Sequence, residues 1–386
     1  MYLEKLKLRH FRNYHEQELE FSPHINILIG ENAQGKTNLL EAIYVLAMAR
    51  SHRTANDREL IEFEGKEGAF IEGRVQKHLG SVRLSLALTK QGKKARVNQL
   101  EQTRLSQYIG NLNVILFAPE DLALVKGSPA VRRRFVDMEF GQIDAAYLHE
   151  LTKYRTILKN RNSYLKQLQQ KKADDRIYLE VLTAQLVKAG AFILEKRCYF
   201  LAQLEQYAAK IQTQISQDKE QLKIEYKTSI HDQIQKLSRT EIEACYTQTF
   251  QKYVDKEIFQ GTTLIGPHRD DVLFKVNGKN VQIYGSQGQK RTTALAVKLA
   301  EIDLMHDQTG EYPVLLLDDV LSELDGKRQT HLLKAIQDKV QTFLTTPALN
   351  DVAKKLIKEP KMFYIHKGQI ETGDKTKTQI FYPHQK

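Results

Sequence analysis

Lys36 and Thr37 close a short run, Gly30-Glu31-Asn32-Ala33-Gln34-Gly35-Lys36-Thr37, that puts an ammonium and a hydroxyl directly behind a glycine-bounded turn, with Asn38 following. Glycines let successive backbone N–H groups point inward onto an anion. The lysine charge then reaches β- and γ-phosphate oxygens, and the next hydroxyl is placed to ligate Mg²⁺. The run is preceded by apolar Ile25-Asn26-Ile27-Leu28-Ile29 and followed by Leu39-Leu40-Glu41-Ala42-Ile43-Tyr44. Strand, loop and helix is the context a phosphate-binding loop requires, so the residues predict a nucleoside triphosphate site.

A second set of groups lies in the last third of the chain. Val314-Leu315-Leu316-Leu317 is a short continuous apolar run ending in Asp318 and Asp319, as expected of a buried parallel strand delivering acids to the carboxyl edge of a sheet. In a Walker B strand of this kind Asp318 joins Thr37 around Mg²⁺, and Asp319 is the candidate base that orients the attacking water. Upstream, Ser286-Gln287-Gly288-Gln289 opens a helical pattern, and downstream Ser322 and Asp325 belong to a Ser-x-Leu-Asp loop. This order of elements resembles the ATP-binding-cassette ATPases. There a signature helix presents its N-terminus to a γ-phosphate, the serine donating its hydroxyl and the glycine permitting close approach, normally across two subunits.

The elements that must position these groups divide the chain into three. Residues 1–130 carry short strand patterns around the phosphate loop and read as an N-terminal α/β lobe. Residues 131–260 lack proline and repeat apolar residues at three- and four-residue steps, with Leu148, Leu151, Leu158 and Leu165 on one helix and Leu179, Leu182, Leu186 and Ile193 on another. A polar turn at 169–175 lets the two pack as a hairpin, forming a short helical arm. Residues 261–386 form a C-terminal lobe with the signature and the Walker B strand. The expected fold class is α/β, an ABC-type, SMC-like P-loop ATPase head split by a helical insertion.

Composition suggests a polyanionic partner, nucleic acid ahead of a membrane surface. The 386-residue chain has 41% hydrophobic and 27% charged residues and a net charge of +11, which favours a polyanion such as nucleic acid. No run of about twenty apolar residues and no signal-peptide pattern stand out, so a cytoplasmic protein is expected. Cys198 and Cys245 have neither metal-site spacing nor a disulfide framework around them. The clusters Arg132-Arg133-Arg134 and Lys93-Lys94 are candidates for sequence-independent contact with DNA phosphates. His268-Arg269-Asp270-Asp271 is read as a structural or nucleotide-sensing ion-pair segment rather than a metal or acid–base cluster, because consecutive side chains on a strand cannot converge on one ion.

Phe11-Arg12-Asn13-Tyr14, the phosphate loop with Asn38, Ser51-His52-Arg53, Phe117-Ala118-Pro119-Glu120-Asp121-Leu122, Gly127-Ser128-Pro129, Gly266-Pro267-His268-Arg269-Asp270-Asp271 and the Leu317 to Asp325 segment occur in an order that resembles the RecF family over essentially the whole length. The resemblance implies an ATP-dependent DNA clamp. ATP would drive homodimerisation, with DNA bound near single-strand gaps, on double- and single-stranded substrates, and with RecO and RecR as partners in gap repair, replication restart and SOS induction. It also implies that Arg12 is an accessory nucleotide contact. Two departures from an efficient hydrolase point to slow turnover. Asp319 stands where a longer Glu is common, and Thr345 stands where a switch histidine is common; a hydroxyl can donate to a γ-phosphate but does not titrate near neutral pH. The competing expectation is the ATPase subunit of a transporter.

Overall fold

The computed structural model describes residues 1–62, 68–337, 339–348 and 356–373, in two compact units. The first comprises Met1–Asp121 and the chain from Glu301 onward; the second is Leu122–Ala300. These divisions lie near 121 and 300, whereas the sequence pattern places them near 130 and 260. Residues 261–300 therefore group with the helical segment, because Asp271–Val276 pairs with Leu222–Lys227.

Among the described residues the first unit contains two six-stranded sheets. In one, the order is Gln369–Gly373, Lys361–His366, Ile25–Ile29, Thr342–Thr346, Val314–Asp318 and Val114–Phe117, parallel except for the first strand. Ile27, Leu28, Leu315, Leu316 and Leu317 are fully buried, as expected for strands covered on both faces. Register puts Asp318 opposite Thr345, and Thr345 opposite Leu28, so the loop after Ile29 and the acids after Leu317 emerge at one edge. The other sheet is antiparallel and includes Tyr2–Phe11, Tyr14–Glu20, Ala69–Lys77 and Gly80–Thr89. Its strands alternate, with Leu6 and Leu8 buried and Lys5 and Lys7 on the outer face. Helix Lys36–Met48 packs against strands of both sheets and is buried almost all round, which accounts for its apolar composition.

In the second unit Ala145–Gln169 and Arg176–Ser216 form the expected helical hairpin, and Arg239–Gln260 packs on both. Asp144 and Asp175 cap the hairpin helices by accepting hydrogen bonds from backbone N–H groups of the first turns. The 41-residue helix Arg176–Ser216 contains a stretch long and apolar enough by composition to cross a bilayer, a feature the sequence reading passed over. Half of that stretch is buried against neighbouring helices, which is how the core helix of a helical unit meets the same criterion. Arg197 is buried within the helix and spends its donors on Tyr147 Oη (3.0 Å), the Pro267 carbonyl (2.7 Å) and Asp137 (2.7 Å).

Candidate nucleotide site

The phosphate loop is built as a braced turn. Gly35 has φ +123°, and a Cβ there would come within 2.7 Å of Asn13 Nδ2 and 2.9 Å of Tyr14 Oη, so glycine is required twice over. A Cβ on Gly30 would meet the Ile365 carbonyl at 2.3 Å. The turn is held from outside: Asn13 Nδ2 (3.2 Å) and the Gly368 N–H (3.0 Å) donate to the Gln34 carbonyl, the Lys367 N–H donates to Gln34 Oε1 (2.7 Å), and the Tyr14 hydroxyl donates to the Gly35 carbonyl (2.9 Å). Glu31, Asn32 and Ala33 form the exposed crest. Asn38 donates to Asn13 Oδ1 at 2.8 Å and so belongs to the brace.

Lys36 Nζ sits inside this loop and donates to the Gly30 (2.6 Å) and Glu31 (2.7 Å) carbonyls. Burial depresses its pKa, against the opposing charges of Asp319 and Asp318. Thr37 Oγ1 donates to Asp318 Oδ1 at 3.0 Å, so the two sequence-predicted Mg²⁺ ligands are adjacent although 281 residues apart in the chain. Hydroxyl and carboxylate oxygens are the hard donors Mg²⁺ prefers, and a protein site that supplies few ligands and leaves the rest to water and phosphate suits it. The residues present therefore fit that ion.

Thr345, the switch candidate, is tied to the two acids of the neighbouring strand end. Its hydroxyl is buried, donates to Asp318 Oδ1 at 2.8 Å and accepts from the Asp319 N–H at 2.9 Å. In this arrangement its proton goes to the Walker B carboxylate rather than to a phosphate position. Asp319 has φ +52°, in the left-handed region that Asp tolerates better than most side chains. The Ser322 hydroxyl donates to its carbonyl (2.7 Å), and Asp325 caps Gly326–Ile336 by accepting from the Arg328 N–H (2.9 Å).

The sequence reading missed Glu41. It is fully buried in the phosphate-loop helix and accepts from Arg12 Nε (2.9 Å) and Nη2 (2.8 Å), from Ser51 Oγ (2.5 Å) and from Arg53 (3.4 Å). Burial pushes its carboxyl up, but the hydrogen bonds from Arg12 and Ser51 and the two guanidinium charges outweigh that and hold it below the ordinary value. Arg12 is thus anchored on Glu41, with Nη1 on the Glu59 carbonyl (2.7 Å). The available signal was a single acid within the run Leu39 to Met48, since a carboxylate buried there must find a cation. His52 was also missed as a site residue: its Nδ1 is buried without a hydrogen-bond partner, and burial lowers its pKa against the pull of Glu41 and Asp318.

The DNA candidates separate. Arg132 is buried and bidentate on Asp271 (2.7 and 2.9 Å), which removes it from any phosphate-contact role, and Arg133 donates to the Asp270 carbonyl. Lys93 donates to the Ala49 carbonyl at the C-terminus of the phosphate-loop helix (2.7 Å) and pairs with Asp57 (2.8 Å), so it too is structural. Arg134 and Lys94 are exposed. His268 accepts or donates to the Tyr154 hydroxyl (2.7 Å), and burial takes its pKa down to about 4. Neighbouring Asp270, bonded to Tyr226 Oη, is pushed up by burial to about 6. In the second unit, Ser286 and Gln289 cap the helix Gln287–Thr309 reciprocally, Ser286 Oγ accepting from the Gln289 N–H (3.1 Å) and Gln289 Oε1 from the Ser286 N–H (2.9 Å). Ser286, Gln287 and Gly288 are exposed.

A parallel sheet whose edge gathers Lys36, Thr37 and Asp318, in a chain that also displays a Ser-Gln-Gly-Gln helix start, defines a P-loop ATPase head of the ABC and SMC class. The family model for the RecF/RecN/SMC N terminal domain matches residues 2–370. The DNA replication and repair protein RecF of Ligilactobacillus salivarius is 64% identical over 370 residues, 96% of this chain and 97% of its own length. That of Listeria monocytogenes is 56% identical over 374 residues, 96% of this chain and all of its own length. The chain belongs to the RecF family of DNA replication and repair proteins. Among solved structures, the recombination mediator protein RecF with ATP, from the RecFOR pathway, superposes with TM-score 0.89 at 33% identity, covering 97% of this chain and 98% of that one. An SMC head domain from Pyrococcus furiosus shares the fold at TM-score 0.54 and 16% identity, covering 96% of each chain. Full-length likeness to replication and repair proteins sets aside the transporter subunit.

Proposed function

We propose that this chain is an ATP-switched DNA clamp. The observation that carries the reading is the convergence of Thr37 and Thr345 on one oxygen of Asp318, beside a lysine already seated within the phosphate loop. ATP binds the loop from Gly30 to Asn38, with Lys36 on the β- and γ-phosphates and Thr37 and Asp318 holding Mg²⁺. When bound, the ion offsets the phosphate charge. Exposed Ser286, Gln287 and Gly288, with Gln289 holding the cap, complete the phosphate cage of a second copy, so that ATP drives homodimerisation. Asp319 orients the attacking water, and its short reach makes hydrolysis slow enough to act as a release step that DNA stimulates.

The net charge of +11 suits a polyanionic partner, and exposed Arg134 and Lys94 remain candidates for phosphate contact. Gapped DNA with double- and single-stranded arms is the proposed substrate, RecO and RecR the proposed partners, and the cytoplasm the proposed location. A titration of gapped duplex DNA at several salt concentrations tests the reading. The expected result is binding that requires ATP and Mg²⁺ and weakens steeply with salt. Equal binding with and without nucleotide would overturn it.

A further inference from the structure

Away from the phosphate loop, three donor atoms converge beside the turn that joins Tyr2–Phe11 to Tyr14–Glu20. The register pairs Arg9 with Glu16 and Phe11 with Tyr14, which sets His10 and His15 on facing strands beside the turn at Arg12 and Asn13. Phe11 and Tyr14 go to the core, and a positive φ at His10 (+50°) interrupts the alternation that buries Leu6 and Leu8, leaving both imidazoles at the surface. Glu62 is brought up by its own N–H, which donates to the His10 carbonyl at 2.8 Å. The Nδ1 atoms of His10 and His15 lie 2.7 and 3.2 Å from the same oxygen, Glu62 Oε2, and the rings meet edge to face at 4.6 Å.

We propose that His10, His15 and Glu62 form a three-ligand site for a zinc-class divalent cation. Two imidazole nitrogens and one carboxylate oxygen are a recognised donor set for Zn²⁺, whose fourth position is left to water. The three donor atoms all lie within 4.8 Å of one another. Ligands about 2.1 Å from a tetrahedral zinc stand roughly 3.4 Å apart, so an ion enters by small side-chain movements that open the two hydrogen bonds. Side-chain exposures of 37%, 77% and 20% for His10, His15 and Glu62 leave an entry path. A simple His–Glu pair would need one imidazole on the carboxylate; here two share one oxygen.

The position gives the ion a consequence. The Arg12 N–H donates to the Leu60 carbonyl (2.9 Å) and Arg12 Nη1 to the Glu59 carbonyl, so Glu62 ends the segment that holds Arg12 in place. An ion bridging Glu62 to both strands staples that segment to the turn carrying Arg12 and Asn13.

The test uses the untagged full-length protein, with Mg²⁺ present to occupy hard-oxygen sites, and Zn²⁺ in competition with a chromophoric chelator. One Zn²⁺ per chain is expected, with a rise in thermal midpoint on adding Zn²⁺. His15→Ala, at an exposed position where folding is not at risk, should weaken binding by more than the 10- to 100-fold typical of losing only an outer-sphere partner. Glu62→Gln should also weaken it, and His149→Ala, at an exposed histidine on another unit, should not. Wild-type protein that takes up no Zn²⁺, or His15→Ala and Glu62→Gln variants that bind as wild type does, would overturn the proposal.

Discussion

The two turns proposed to face phosphate are built in opposite ways. The loop at Gly30 to Thr37 is fastened by groups 21 to 334 residues distant, from Asn13 and Tyr14 on one side to Lys367 and Gly368 on the other. The turn at Ser286 is closed by a reciprocal pair three residues apart and faces solvent. Fixed donors lose little entropy on binding, so the first turn has the pre-organisation of a site that binds ligand within one chain. The second has the exposure of a surface that meets its ligand in a complex. Half of the nucleotide cage is thus a property of the folded chain, and half a property of the proposed pair.

Lys36→Met gives the largest expected effect on that contrast. The methionine fills the path of the buried stem but removes the charge, and charge-assisted contacts to phosphate are among the strongest a side chain makes. ATP affinity should fall by more than about 100-fold, roughly 2.7 kcal/mol, with the thermal midpoint little changed. Isothermal titration measures it, and retention of wild-type affinity would show that the braced loop does not depend on its lysine.

Ser286→Arg attacks the other half. ATP affinity of the single chain should stay within about twofold, because the first turn and its brace are untouched, while a bulky cation at the helix start blocks close approach of another copy. Sedimentation with ATP should then show monomers under conditions where the wild-type protein is expected to show dimers. Normal dimers would mean that the exposed turn is not the second half of the cage.

How much of this was legible follows the same division between local and distant. The phosphate loop, the Walker B acids and the capped signature helix are local patterns, readable because a glycine, a lysine or a pair of acids does its work within a few residues of its neighbours. The pairing of Thr37 with Asp318 followed from placing both at one sheet edge. Glu41 with Arg12, Ser51 and Arg53 was not legible in the same way, since its partners come from separate elements. The Arg132-Arg133-Arg134 run misled for a related reason. On the helix Pro129–Ile143 successive side chains are about 100° apart, so three neighbours cannot share one face. Arg132 turns inward to Asp271 and Arg134 turns out. Alternation separates Lys93 from Lys94 on their strand in the same manner.

The smallest expected effect comes from Thr345→Val, which asks whether the first half of the cage is pre-organised through its acids as well as its loop. Valine keeps the β-branched shape that suits a buried central strand but loses the hydroxyl. Asp318 then loses one of the two hydroxyls on Oδ1, and the Asp319 N–H loses its acceptor. An unsatisfied buried donor costs about 1–3 kcal/mol, so the thermal midpoint should drop by a few degrees. If Thr345 acts by holding Asp318, the Mg²⁺ concentration needed for half-maximal ATP binding should rise several-fold, and ADP should show the same rise. A switch that reads the γ-phosphate behaves otherwise: ATP affinity alone would fall, at every Mg²⁺ concentration, with ADP unaffected. Titrating both nucleotides over a range of Mg²⁺ separates the two outcomes, and the second would return Thr345 to the role its place in the sequence suggested.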